Sequence, residues 1–377
     1  MGVFVEGDSN RVELRDNVDE VRDMGIGNRV SVTGNVNKSK SEKQDSTLYE
    51  SKFIDAGGLR LHYLDFGGEG LPLVLVHSEG WDAHTYADFA PRFTDTNRVL
   101  AVTRPGYGES EAHPDGFSVE TQAESLIKFL DALGIEKAAF AGNSSPITYL
   151  TYIAEHHPDR VAGVIYLAGL MPMWLNDVHE SDPTGAGAMV TRARTPDPNA
   201  LKRSRILNLY RPQFLSADSP IIEVPAMEFT GRSGLIGYER FSWPLAIVGS
   251  PLLRDFHADL PPSPATDYLR RLVDVPAFRD EGLSALEDSA ARAFLTRLAG
   301  DPDLQAGVWR YQQETVRPAL IDGQKKFRRA FNRIRIVPLD VSTIYGYEYR
   351  DNPELIEPHI QRFLDEIRDE FRPRSND

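Results

Sequence analysis

A serine stands at the centre of the stretch of this chain that is best suited to covalent chemistry. The stretch reads "AGNSSPIT" over residues 141–148, where a short apolar run meets a helical pattern. A serine hydroxyl on a sharp strand-to-helix turn can attack a carbonyl carbon when a base takes its proton. Gly142 and Ser144 match the pattern G-x-S-x-G of such turns, whereas Pro146 replaces the second glycine. Proline is tolerated in the first turn of a helix, so we expect the turn to form and Pro146 with Ile147 to add bulk beside the serine.

A carboxylate follows a second apolar run, in the stretch "HSEGW" that begins at His77. If Glu79 points into a low-dielectric cleft, its raised pKa would suit a general acid or base. If Glu79 is solvated on the outer side of the loop, it has no such role, and both interpretations stay open. We therefore take Ser144 and Glu79 as candidate catalytic residues.

A proton acceptor for Ser144 is hard to find. No histidine lies between His257 and His359, and His359 falls inside the pattern of the closing helix, where a surface or packing role is expected. His179 and His257 lie in the predicted insertion. Neither is an ordinary source of a base, and no acidic partner can be chosen, since Asp340 and Glu348 both flank the last strand.

Composition excludes several classes of function. The chain has 377 residues with 56 acidic and 42 basic side chains, a formal net charge of -14, so nucleic acid and anionic membrane surfaces are unfavourable partners. There is no cysteine, which excludes disulfides and thiolate chemistry. We find no secretory pattern, spanning segment, zinc motif or phosphate loop, and we expect a cytoplasmic protein without metal or cofactor that binds a small hydrophobic molecule.

Apolar runs alternate with helical patterns from residue 53 onward. "LRLHYLDFG" alternates like an edge hairpin strand, and four continuous runs, "LPLVLV", "RVLAVT", "KAAFAG" and "VAGVIYLAG", are typical of strands buried on both faces. Between them, Leu126, Phe129 and Leu130 recur at helical spacing after a capping Ser118. This alternation predicts an α/β fold with a doubly wound, mostly parallel sheet.

Four segments are expected along the chain: an extension (1–50), a first core part (51–170), a mainly helical insertion (171–310) and a last strand with a closing helix (311–377). The insertion holds one strand-like run, "PLAIVG", at residues 244–249. In the extension, "NRVELRDNV" from Asn10 recurs as "NRVSVTGNV" from Asn28. This echo suggests short strands that pair with themselves or with another subunit, giving a possible homo-oligomer, although coincidence in a loose tail is an equal alternative.

Four segments in order, "LVLVHSEGWDAHTYADFAPRF", "RVLAVTRPGYGES", "AAFAGNSSPITYL" and "HHPDRVAGVIYLAG", make the chain resemble the α/β-hydrolase fold superfamily of the serine-elbow type. The resemblance covers about residues 58–170 and implies that fold, with a cap domain at the insertion. It implies a serine nucleophile at Ser144, a histidine after the last strand and an acid that orients it. It also implies an oxyanion hole built from backbone amides. Oxyanion or binding positions are then Ser78, Ser145, Asn143, Trp81 and Tyr347.

The chain departs from that family at the carboxyl edge of the predicted sheet, where the catalytic residues are expected. The histidine slot, counted back from Asn352, falls at Gly346, and Ser78 replaces the usual glycine of the oxyanion loop. Alternatively, "VPLDVSTIYGYEYRDNPEL" is the seventh strand and the chain stops early. The catalytic triad would then also be incomplete. An epoxide hydrolase or dehalogenase would need an aspartate in place of Ser144.

Three functions follow from this degenerate triad. The favoured one is non-hydrolytic chemistry, such as a cyclisation, elimination or lyase step on a small hydrophobic molecule. The alternatives are a serine esterase or lactonase whose histidine comes from an unusual position, and a non-catalytic binding protein. Five aromatic residues at the edge could line the pocket: Trp81, Tyr107, Trp174, Tyr345 and Tyr347.

Overall fold

The computed structural model describes residues 48–168, 181–194, 212–216, 220–231, 243–254, 270–339 and 348–371, together with four short strands near the N-terminus. The strands of these described parts are β1 (Gly2–Val5), β2 (Arg11–Arg15), β3 (Glu20–Asp23), β4 (Arg29–Thr33), β5 (Glu50–Asp55), β6 (Arg60–Asp65), β7 (Leu73–Val76), β8 (Val99–Val102), β9 (Ala138–Asn143), β10 (Val161–Ala168), β11 (Ala226–Gly231) and β12 (Ile334–Leu339).

The helices are α1 (Val119–Ala132), α2 (Pro146–His156), α3 (Ala186–Arg194), α4 (Trp243–Ile247), α5 (Pro276–Ser284), α6 (Ser289–Gly300), α7 (Pro302–Tyr311), α8 (Arg317–Ala330), α9 (Glu348–Asp351) and α10 (Pro353–Phe371). A π-helical turn, Gln312–Val316, joins α7 to α8. Ser118 caps α1 as expected, since its hydroxyl accepts the Thr121 amide at 3.1 Å. Among the described helices, none is both long and apolar enough to cross a bilayer.

Eight strands form one sheet in the order β12-β11-β10-β9-β7-β8-β6-β5. Strand β6 runs antiparallel to β5 and to β8, and the remaining neighbours are parallel. The predicted doubly wound sheet is therefore confirmed. One detail was wrong: β6 is an internal strand, and its hairpin partner β5 forms the edge.

The core lies on both faces of this sheet, because residues of the central strands alternate between two apolar clusters. On one face, Val74 and Val76 pack with Leu126 and Phe129 of α1 and with residues of α2 and α8. On the other, Leu75 and its alternate neighbours pack with α10 and with two 3-10 helices, Ala83–Tyr86 and Ala90–Phe93. Burial on both sides explains why β7, β8 and β9 are continuous apolar runs.

Within residues 171–310, one predicted strand was wrong and one strand was missed. The run "PLAIVG" was expected to be a strand, but Trp243–Ile247 is a helix with Pro244 in its first turn, where proline is well tolerated. Conversely, β11 was not predicted, because Glu228 interrupts its apolar run. It is the seventh strand of the sheet and β12 the eighth, so the alternative in which the chain stops at the seventh strand is also wrong.

The chain divides into two compact units. One is built from Thr47–Leu175, Ile206–Gly237 and Leu320–Asp377, and it holds the whole eight-stranded sheet. The other is built from Met1–Ser46, Asn176–Arg205 and Tyr238–Ala319. Within the second unit, the described strands β1 to β4 form two parallel pairs, β1 with β3 and β2 with β4.

Candidate active site

Ser144 occupies the turn between β9 and α2 and has a strained backbone. Its φ is 64°, which makes it the one non-glycine residue with positive φ in the described parts of the chain. The left-handed conformation costs an ordinary L-residue about 1–2 kcal/mol. Ser144 is half-buried, whereas its neighbours Asn143 and Ser145 are almost fully buried. The turn thus brings one hydroxyl towards the surface at the carboxyl end of a central strand, where open α/β sheets bind ligands.

Gly142 and Pro146 fit closely on the inner side of this turn. A Cβ added to Gly142 would lie 2.6 Å from the Pro146 Cβ and 2.9 Å from the Val76 carbonyl oxygen, so only glycine fits. Pro146 lies in the first turn of α2, as expected. Pro146 and Ile147 are both buried, so their bulk goes into the core below the turn.

The side chains that flank Ser144 hold the turn in place. The Ser145 hydroxyl lies 3.2 Å from the Tyr149 hydroxyl, one helical turn further along α2. The Tyr86 hydroxyl donates to the Val76 carbonyl at 2.9 Å and lies 3.5 Å from the Asn143 amide oxygen. Asn143 and Ser145, which we predicted as binding residues, therefore both contact structural tyrosines.

His77, at the end of β7, is a buried structural histidine. Its Nδ1 donates to the Ser78 carbonyl at 2.8 Å, and its Nε2 accepts the Arg104 backbone amide at 2.9 Å. Burial, followed by the nearby Arg104 cation, holds the pKa of His77 well below its ordinary value. His77 is therefore neutral with both ring nitrogens engaged, and it cannot accept the proton of Ser144. Ser78 is buried, with its carbonyl committed to this ring.

Glu79 is placed differently from both of our expectations. Its carboxylate forms an ion pair with Arg104, with Nη2 and Oε1 3.1 Å apart, and also accepts the Tyr107 hydroxyl. The Glu79 side chain is 30% exposed, whereas that of Arg104 is 1% exposed. The Arg104 guanidinium thus compensates the negative charge of Glu79. Glu79 therefore does not act as an uncompensated charge that would destabilise a developing oxyanion.

Arg104 is the main residue of the site that sequence reasoning missed. Its Nε donates to the His77 carbonyl at 2.9 Å, and its guanidinium lies over the rings of Tyr107 and Tyr149, at 4.3 and 5.1 Å from their centroids. Desolvation lowers the pKa of Arg104, but the surrounding tyrosine and Glu79 oxygens outweigh it and the group stays charged. One buried cation therefore connects the loop after β7 to helix α2. The available signal was an arginine two residues after a fully apolar strand, β8.

The three histidines considered as an unusual source of the missing base fall in two groups. The ring of His359 on α10 packs edge-on against Phe229 of β11, at 6.3 Å between centroids, which fits the packing role we predicted. His179 and His257 lie outside the described residues, as do Trp174, Tyr345, Gly346, Tyr347 and Asp340. Strand β12 ends at Leu339, and the sequence of residues 340–347 contains no histidine.

Two further site features concern charge. The half-buried Trp81 has the Arg350 guanidinium 5.6 Å from its ring centroid.

Glu228 on β11 is fully buried and accepts two hydrogen bonds, of 2.8 and 2.7 Å, from Arg328 of α8, so Glu228 has a structural role. Within the described residues, no group of three or more histidine and carboxylate side chains could hold a metal ion.

Part of the chain is similar to proteins of known fold. A family model described as "alpha/beta hydrolase fold" matches residues 72–199. The chain is 35% identical over 115 residues to the dihydrolipoyllysine-residue acetyltransferase component of an acetoin cleaving system from Pseudomonas putida, covering 30% of this chain and 31% of that protein. It is 34% identical over 121 residues to bifunctional epoxide hydrolase 2 of Rattus norvegicus, covering 30% and 21%.

A third relative is 2-hydroxymuconate semialdehyde hydrolase of Pseudomonas putida, 32% identical over 160 residues, covering 42% of this chain and 53% of that protein. These matches span from about a fifth to about half of the relatives' lengths.

Among solved structures, the epoxide hydrolase CorEH is 13% identical with a TM-score of 0.48, covering 85% of this chain and 99% of that one. The enol-lactonase from Burkholderia xenovorans LB400 is 17% identical with a TM-score of 0.45, covering 83% and 100%. From its sheet order, its strained serine turn and the matching family model, this chain is an α/β-hydrolase-fold protein.

Proposed function

We propose that this protein is a serine hydrolase that cleaves an acyl bond, such as an ester or a lactone, in a small hydrophobic molecule. The conformation of Ser144 carries the proposal. A turn that needed only a small residue would take glycine, which adopts a φ of 64° without strain. Keeping a serine there costs stability, and strained residues of this kind cluster at functional sites.

The relatives support hydrolysis and give no support to the cyclisation, elimination or lyase chemistry that the sequence favoured. Their names include hydrolases of an epoxide and of 2-hydroxymuconate semialdehyde. Epoxide hydrolysis in this fold would call for an aspartate at the position of Ser144, so an acyl bond is the better match. The substrate class and a cytoplasmic location stay predictions.

The proposed reaction begins with attack of the Ser144 Oγ on the carbonyl carbon, and the serine proton passes to a base. The backbone amide of Ser145 and an amide of the loop at Ser78 and Glu79 would stabilise the tetrahedral oxyanion. Arg104 contributes indirectly, because it neutralises Glu79 and holds the His77 carbonyl. The tetrahedral intermediate collapses as the scissile C–O bond breaks, and the protonated base gives its proton to the departing alcohol oxygen, which leaves an acyl ester on Ser144. Water then hydrolyses this ester with the help of the same base, releasing the acid and restoring the Ser144 hydroxyl. The candidates for the base are His179 and His257, and His359, whose ring packs against Phe229, serves as the comparison.

A fluorophosphonate probe tests this proposal directly, since it labels a serine only when that serine is activated. We expect stoichiometric labelling of the wild type, none of Ser144→Ala, and normal labelling of the matched control Ser289→Ala, which changes an exposed serine of α6. Replacing each of the three histidines by alanine should abolish labelling in one variant only. Absence of labelling in a folded wild type would favour the non-catalytic binding protein.

A further inference from the structure

The two N-terminal strand pairs share one register. In the first pair Val3 lies opposite Val21, and in the second Val12 lies opposite Val30, so both ladders join residues 18 positions apart. Both ladders are parallel. The chain therefore passes through one strand of each pair, repeats the course after 18 residues and places the second course directly beside the first.

This arrangement is two coils of a β-solenoid, in which each coil contributes one strand to each of two sheets. The sequence repeat has the same period: Asn10, Arg11 and Val12 recur as Asn28, Arg29 and Val30. Solenoids gain their stability from stacking, because a single repeat cannot bury its own apolar face and at least three are generally needed. Two coils by themselves are thus short of a stable stack, and isolated two-stranded sheets are marginal.

Each coil has an edge that can accept a further strand. Within the described residues, each of these sheets contains only two strands, so β1 and β2 border one end of the stack and β3 and β4 the other. Open parallel edges present regularly spaced backbone donors and acceptors and act as templates for another strand.

We infer that these edges bind a second copy of this chain, with its first coil (β1 and β2) on the second coil (β3 and β4) of its neighbour. The second copy is the best occupant because the pairing is already shown within one chain. Stacking the first coil of one copy on the second coil of another repeats the same partners, Val3 with Val21 and Val12 with Val30. It also supplies the further repeats that two coils lack.

The contact is heterologous, since it joins different surfaces of two identical chains, and a heterologous contact that does not close grows open-ended. Each added copy advances the stack by two strands, about 9–10 Å.

The full-length chain offers a direct test because it contains no cysteine. We would prepare Val12→Cys and Val30→Cys separately, mix them in equal amounts and oxidise. In the inferred stack, residue 12 of one copy neighbours residue 30 of the next at about 4.8 Å, within the range of a disulfide. Like residues of successive copies lie about 9.5 Å apart, which is too far. We therefore expect disulfide dimers in the mixture, at about a quarter of the interfaces of a random stack.

Matched controls separate this arrangement from others. Each single variant alone should stay monomeric on a non-reducing gel. Adding Leu14→Pro to the Val12→Cys chain should prevent cross-linking with the Val30→Cys chain, because Leu14 lies on β2, the strand that forms the inferred contact. Sedimentation of the wild type should show assemblies that grow with concentration. Disulfide dimers within one single variant, or a wild type that remains monomeric with no cross-linking in the mixture, would overturn the inference.

Discussion

The strain at Ser144 makes a quantitative prediction about two substitutions that both remove the hydroxyl. Ser144→Ala keeps a Cβ, so the alanine still pays the left-handed conformation, about 1–2 kcal/mol. Ser144→Gly relieves that strain but gives the unfolded chain more freedom, which offsets about 0.4–1 kcal/mol. The loss of the half-buried hydroxyl affects the stability of both variants equally. We therefore expect Ser144→Gly to be more stable than Ser144→Ala by about 0.5–1 kcal/mol.

Urea unfolding followed by the intrinsic fluorescence of the chain gives the comparison, because a shift of the midpoint at an unchanged slope reports a change in the free energy of unfolding. Both variants should lack fluorophosphonate labelling, so activity and stability are separated in the same pair. If Ser144→Gly proves no more stable than Ser144→Ala, the positive φ is not a source of strain. The proposal of a functional serine would then lose its main support.

Three further predictions concern charge and packing around the sheet. Glu79→Gln leaves the buried Arg104 without a counter-ion, and we expect the free energy of unfolding to fall by about 2–3 kcal/mol. An unchanged urea midpoint would contradict the ion pair. Gly142→Ala should lower the free energy of unfolding by about 1–3 kcal/mol, because the added methyl group overpacks the turn. The matched control Gly282→Ala in helix α5, where an added Cβ meets nothing within 4 Å, should not lower the free energy of unfolding in the same assay. Asp82, which caps the 3-10 helix Ala83–Tyr86, accepts a hydrogen bond from the His84 Nδ1 at 3.1 Å. Asp82→Asn should lower the pKa of the His84 imidazole in an NMR titration, because this hydrogen bond raises it.

The Asp82 and His84 pair also sets a pH window for stability. Its bond to His84 lowers the folded-state pKa of Asp82, so that contribution is present above the ordinary aspartate range and is lost as pH falls through the lowered value. The raised pKa of His84 contributes fully below about pH 6.5 and is lost as pH rises through the raised value. The stability difference between wild type and Asp82→Asn should therefore peak between these limits in urea unfolding at several pH values. A difference independent of pH would contradict the charge pairing.

The fold could be predicted from sequence wherever local pattern and tertiary role agree. Strands β7 and β9 are buried on both faces and are therefore apolar throughout, and α1 shows both its cap at Ser118 and its apolar stripe. The pattern failed at β11, because a fully buried Glu228 is acceptable only beside Arg328, which lies 100 residues away. It failed at "PLAIVG" because a short apolar run has no periodicity that separates strand from helix.

The candidate site shows the same division. The position of Ser144 followed from the strand and helix on either side of it, and the structure gives it the conformation that this position requires. The environment of Glu79 did not follow, because its partners Arg104 and Tyr107 are 25 and 28 residues away and lie on a different loop. Local sequence indicates the strand or loop on which a charged residue lies. Only the folded structure shows which opposite charge that residue contacts.

The bond between Glu228 and Arg328 limits how this protein can diverge. A lineage that lost the carboxylate alone would keep a half-buried cation facing an apolar strand, and one that lost the guanidinium alone would keep a fully buried anion. Both intermediates are unfavourable, whereas an apolar pair of similar volume would be tolerated. Natural homologues should accordingly carry either both charges or neither, and the two positions should change together across the lineage.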